Sequence, residues 1–234
     1  MPLDGEAALA RLKAFREELA AWARAVGRAP EEIRLLLASK TVPADVLRAV
    51  AAREPLLLGE NFAQELKVKA PKLADLPVEW HFIGHLQSNK VKDVLPFVTM
   101  IHSLDRPSLA RELHKRLTKE GRRLPVLVEV NTSEEPQKHG LPPDEVDAFL
   151  TFLRDYPTLS VQGFMTVGPL TSDEDRIRRS FARLRELRDA MQARFPQLPL
   201  VHLSMGMSGD WKLAVAEGAT ILRIGTAIFG PRPT

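Results

Sequence analysis

The chain has 234 residues, enough for one large domain or two small ones, with 44% hydrophobic and 27% charged residues. That balance excludes a wholly disordered or collagen-like protein. The complete absence of cysteine excludes disulfides, thiolate metal sites, iron–sulfur clusters and a cysteine nucleophile. A formal charge of +3, from 33 basic and 30 acidic residues, is too small an excess to hold a polyanion by itself, so no nucleic-acid partner is expected.

The opening segment, about Leu3 to Val26, reads as a long amphipathic helix that carries charges where a signal peptide would be apolar. No apolar run approaches the roughly 18 residues of a membrane span. A cytoplasmic protein with no membrane partner is expected.

Beyond that helix, short apolar runs alternate with helix-period segments. The expected strands are Ile33–Ser39, Leu56–Gly59, Glu79–Ile83, Val98–Ser103, Pro125–Val130, Leu159–Phe164, Leu198–Leu203 and Thr220–Arg223. Helices are expected at Ala44–Ala52, Phe62–Leu73, Asn89–Asp93, Pro107–Lys119, Asp144–Arg154, Asp173–Arg194 and Ser208–Glu217, several opened by Pro, Ser, Asp or Asn. In Asp173–Arg194, Ile177, Phe181, Leu184, Leu187 and Met191 form one apolar stripe, which leaves the arginines of RIRRSFARLRELR on solvated faces. Eight strand–helix units without a linker predict one α/β domain over residues 1–234, a (β/α)8 TIM barrel with an extra N-terminal helix. An open doubly wound sheet competes, but no G-x-G-x-x-G follows the first strand.

In such a barrel the chemistry sits where strands end. Lys40 ends the first strand, with no acidic residue near it in sequence. Partial desolvation there would favour the neutral amine that attacks a carbonyl. Read alone, a lysine that merely snorkels past the rim explains the position equally well. The last two strand ends carry Ser204-Met205-Gly206-Met207-Ser208 and Gly225-Thr226, the glycine and hydroxyl composition of a phosphate cradle. Barrel closure sets the eighth strand beside the first at roughly 5 Å spacing, making Lys40 and that cradle neighbours. A lysine and a phosphate one small ring apart suggest pyridoxal 5′-phosphate (PLP), a form of vitamin B6, held as a Schiff base. Arg223, just before the cradle, could face the pyridine nitrogen, and as a donor-only group it would weaken the ring as an electron sink. An ion pair at a strand end is the alternative for Arg223.

These residues resemble the PLP homeostasis proteins, also known as the proline-synthase co-transcribed type. The stretches LLLASKTVP, LGENFAQE, EWHFIGHLQSNK, IHSLD, VEVNTSEEPQKHG, GFMTVGP, LSMGMSGDW and RIGTAIFG carry the resemblance, in order, from Leu35 to Gly230. The resemblance implies a barrel similar to the N-terminal domain of alanine racemases. It makes Lys40 the Schiff-base lysine, sets Arg223 against the pyridine nitrogen, gives the phosphate to Ser204, Gly225 and Thr226, and lays Asn61 alongside the ring. Two departures stand out: Phe62 occupies a position where the family often has tyrosine, and Gly209 replaces a commonly acidic residue.

Racemisation needs a second acid–base group on the opposite face of the substrate. The sole tyrosine, Tyr156, falls in the segment leading into the sixth strand, at the far rim. The expectation is therefore a non-catalytic PLP carrier, with no catalytic residue assigned, which buffers PLP and delivers it to apo-enzymes, as the resemblance also implies. A weak racemase and a Schiff-base lysine aldolase on a sugar phosphate are the alternatives. Among the six histidines, His81 and His85 in HFIGH invite a metal, but in a strand that spacing does not converge and no metal is expected. His85 is expected at the rim and His81 buried. Asn131–Gly140 reads as a lid or as a surface loop. No heptad or large apolar patch argues for pairing, and a monomer is expected.

Overall fold

In the computed structural model, residues 4–231 are described. Eight parallel strands close on themselves in sequence order. They are β1 (Arg34–Ala38), β2 (Leu56–Glu60), β3 (Val78–Phe82), β4 (Met100–Leu104), β5 (Leu124–Glu129), β6 (Leu159–Met165), β7 (His202–Ser204) and β8 (Ile221–Ile224). The (β/α)8 expectation is met. Closure is direct, with Leu36 opposite Arg223 and Leu37 opposite Ile224 across β1 and β8.

Helices surround the strands: α1 (Gly5–Ala25), α2 (Ala44–Ala51), α3 (Ala63–Lys72), α4 (Val91–Val94), α5 (Pro107–Lys119), α6 (Val146–Leu153), α7 (Glu174–Arg194), α8 (Trp211–Ala216) and α9 (Thr226–Phe229). Their starts follow from capping chemistry. The Asp4 side chain accepts from Glu6 N–H to begin α1, Asp173 accepts from Asp175 and Arg176 N–H to begin α7, and Pro107 supplies a fixed φ at the start of α5.

Period-2 alternation divides the apolar residues into two cores. Leu36, Met100, Leu127, Met165 and Ile221 fill the barrel interior. A larger shell between strands and helices includes Leu47, Leu66, Leu113, Phe164, Phe181 and Trp211. Each fully buried leucine or phenylalanine is worth roughly 1.5–3 kcal/mol, against about 1 kcal/mol or less for an exposed ion pair such as Arg53–Glu6. Burial in the shell therefore dominates the stability.

Most element bounds shift by one or two residues from the sequence reading, and some differences have a clear physical cause. β7 spans only His202–Ser204, because Leu198–Val201 forms tight turns in which Leu200 N–H donates to Leu198 and Val201 N–H to Pro199. α8 begins at Trp211 rather than Ser208, since Asp210 accepts the Met207 N–H and makes a turn of the preceding residues. α4 reaches only Val91–Val94, behind a 3-10 turn at Ser88–Lys90. α9 follows β8, where no helix is expected from sequence. The expected start of the first helix at Leu3 lies outside the described residues.

Candidate functional site

The barrel mouth is assembled from strand ends. Lys40, half-buried, follows β1 with its Nζ 4.9 Å from the centroid of the Phe62 ring. Among the described residues it pairs with no carboxylate within 4.0 Å. Its turn is held from behind by buried charges. The Glu60 carboxylate accepts from Ser39 Oγ (2.7 Å), Lys69 Nζ (2.9 Å) and Asn61 N–H (2.9 Å). Lys69 also donates to the Ser39 carbonyl (2.7 Å) and to Glu65, which accepts from Thr41 N–H (2.9 Å). Thr41 sits at φ +64°, a left-handed conformation that a β-branched residue adopts only under strain. The bracket therefore fixes a strained turn directly beside Lys40, and sets Asn61 on the neighbouring strand end.

Gly225 and Thr226 begin α9, whose first-turn amides have no intrahelical acceptor. A Cβ placed on Gly225 would lie 3.4 Å from the Ala38 carbonyl oxygen and 3.5 Å from its Cβ. The cradle thus abuts the end of β1, two residues from Lys40, as barrel closure requires.

Ser204 is positioned differently from the expectation that it holds phosphate. It is fully buried inside the barrel, where its hydroxyl meets Arg223 NH1 (2.9 Å) and His102 Nδ1 (2.8 Å). The serine beside the turn is Ser208, whose Oγ accepts from Ala227 N–H at 3.2 Å. Parity explains the difference, because Ser204 ends β7 facing inward while Ser208 lies on the loop that reaches α9.

Arg223 lies on the inward face of β8, and its NH2 also donates to the Thr166 carbonyl (2.9 Å). Burial lowers its pKa to about 10, against the pull of Glu129 and Asp210, so it remains a cation at neutral pH. It is not the strand-end ion pair considered as its alternative: no carboxylate lies within 4.0 Å of it among the described residues.

Several residues at the mouth were not singled out in the sequence. Glu129 ends β5 facing inward, and burial, with Asp105 nearby, raises its pKa to about 7. The signal was an acid embedded in the apolar run VLVEV. It lines a cavity of about 250 Å3 with Asn131, Lys138, His139, Thr166 and Val167. The Asn131–Gly140 loop is tied across this cavity by Lys138, which donates to the Gly168 carbonyl at 2.6 Å.

His139 stacks on His85, with centroids 4.1 Å apart, and ligating atoms of both lie within 4.8 Å of Asp105. Asp105 already pairs with Arg106 at 2.8 Å, so a cation occupies its charge. His85 is at the rim and His81 is buried, as expected. Tyr156 packs against His114 and Phe152 behind the start of β6, at the opposite end of the barrel from Lys40.

A family model for the alanine racemase N-terminal domain matches residues 44–233. A pyridoxal phosphate homeostasis protein of Aquifex aeolicus is 43% identical over 95% of this chain and 97% of its own length. The chain belongs to the pyridoxal phosphate homeostasis proteins. Its Escherichia coli K12 relative of the same description is 37% identical over 94% of this chain and 95% of its own. Among solved structures, PipY of Synechococcus elongatus with PLP bound matches at TM-score 0.84 and 35% identity, covering 95% of this chain and all of that one. Alanine racemase from Corynebacterium glutamicum, 15% identical with a TM-score of 0.68, shares the fold, and this chain spans 62% of its length. Among the described residues, no helix is long and apolar enough to cross a membrane.

Proposed function

We propose that this homeostasis protein binds PLP across the barrel mouth and acts as a reversible reservoir for it. The supporting observation is the packing of Gly225 against Ala38, which brings an unpaired lysine and a glycine–hydroxyl turn together. The residues fit the group. Lys40 offers an amine, Gly225 and Thr226 offer backbone approach and donors to a phosphate, and Ser208 replaces Ser204 as the serine contact. Arg223 presents a permanent donor to the ring nitrogen, and Asn61 flanks the ring.

When bound, PLP supplies an aldehyde that an amine can hold reversibly. The chain's own groups favour holding over turnover. Arg223 can only donate, and so cannot stabilise a protonated ring nitrogen. Phe62, beside Lys40, has no acid–base group, and Tyr156 is at the far end of the barrel. In this reading the protein works as a cytoplasmic monomer and passes PLP to apo-enzymes.

Borohydride reduction of PLP-loaded protein followed by peptide mass analysis tests the site. A pyridoxyl adduct is expected on Lys40, and an adduct on another lysine, or none, overturns the reading. Mixing loaded protein with an apo-form PLP enzyme tests delivery, through recovery of that enzyme's activity. Loaded protein should also leave L-alanine unracemised, in contrast to a weak racemase.

A further inference from the structure

The barrel interior carries a continuous line of hydrogen-bonded side chains from its floor to Arg223. Glu79, at the start of β3, accepts from Arg34 (2.9 Å) and Thr99 (2.9 Å) and meets His81 Nε2 at 3.0 Å. His81 Nδ1 meets His102 Nε2 at 2.9 Å, and His102 Nδ1 meets Ser204 Oγ at 2.8 Å. Arg223 NH1 then reaches the same hydroxyl at 2.9 Å. His81, His102 and Ser204 are fully buried.

With both imidazoles neutral, the Glu79 end dictates the direction of every bond, and Arg223 is compatible with it. Arg223 is donor-only and an ionised Glu79 is acceptor-only. Ser204 accepts from Arg223 and donates to His102 Nδ1. His102 is then the Nε2–H tautomer and donates to His81 Nδ1, and His81, also Nε2–H, donates to Glu79. With these tautomers in place, a proton added to either imidazole would set two donors against each other at one link.

We propose that Glu79, His81, His102 and Ser204 are positioning residues, a one-way relay that orients the Arg223 guanidinium toward the mouth while both imidazoles stay neutral. The charged groups facing it agree with this. Arg34 and Glu79 flank His81 at the floor, His202 lies beside His102, and Glu129 and Asp210 act on Arg223 from β5 and the loop before α8. Burial, the largest influence on both histidines, favours their neutral forms.

The relay's direction stands without any cofactor, whereas its effect on the ring nitrogen rests on the PLP reading above. Long-range proton–nitrogen NMR on the full-length apo-protein tests the first part. Both His81 and His102 should be neutral Nε2–H tautomers at pH 7 and remain so at pH 5.5, and an Nδ1–H or doubly protonated ring at either position overturns the relay. For the second part, Ser204→Ala should leave the Lys40 adduct in place, move the visible absorption of bound PLP and speed PLP release about tenfold. Ser204→Thr should restore both. An unchanged spectrum and release rate in Ser204→Ala would refute the positioning role, whereas absence of any Lys40 adduct in the parent would refute the PLP reading and leave the NMR result standing.

Discussion

At the scale of single residues, the mouth is governed by charges taken out of water. The folded-state pKa of Glu129 is raised from 4.5 to about 7. Its stabilising contribution is therefore complete below pH 4.5 and is lost as pH rises through 7. Glu129→Gln removes that loss and should raise the urea midpoint at pH 8 by an amount equivalent to roughly 3 kcal/mol, with little change at pH 4. Lys69 has the opposite character, since it satisfies the buried Glu60 carboxylate and the Ser39 carbonyl together. Lys69→Met should cost about 3–5 kcal/mol in urea unfolding, because Glu60 would remain buried without its countercharge. Glu129 is marked in the sequence only as an acid inside the apolar run VLVEV, and Lys69 is not marked at all. Lys69 looks like any helix-surface lysine until β1, β2 and α3 are assembled around it, whereas Lys40 was legible because a strand's end has a known direction.

At the scale of elements, alternation made the strands legible but not their irregularities. Across β5 and β6 the register runs from Val126 opposite Val161 to Val128 opposite Phe164, so β6 carries an extra residue. Val161 and Phe164 both face the shell while Met165 turns inward, a reversal that strict period-2 reading misses. Gly163 makes this possible at φ +144°, where a Cβ would lie only 2.0 Å from the His202 carbonyl oxygen. Gly163→Ala should therefore destabilise the fold by more than about 3 kcal/mol, measured by urea denaturation, because the obstacle is backbone on β7. A comparable register shift between Ile101 and Leu104 lies on β4, the strand that carries His102. Such bulges depend on neighbouring strands, and the only local mark of the one in β6 is Gly163 inside the strand. The short α9 was missed because TAIF is too brief to display a period. The inward facing of Ser204 was not legible because composition names a serine without its facing direction.

At the scale of the whole molecule, acid sensitivity should follow from the barrel interior. Burial depresses the pKa of His81 and His102 below 6.5, so their stabilising contribution is present above that pH and lost as it falls. Each can remove up to about 1.4 kcal/mol per pH unit, while Glu129 offsets about one such contribution between pH 4.5 and 7. Urea midpoints should decline from pH 6.5 to pH 5, and decline more steeply in Glu129→Gln. A flat profile would mean that the imidazoles are charged or solvated in the native state.

The pairing of β8 with β1 also bears on how the protein is made. Lys40 leaves the ribosome long before Gly225 and Thr226, which lie more than 180 positions further along the chain. Until those two arrive, nothing can sit beside Ala38, and helix α1, whose Arg11 side chain reaches the Ile228 carbonyl, has no far edge to clasp. On the proposed site a nascent chain is thus blind to its vitamin, and ligand capture has to wait for the moment at which the ring of strands has shut.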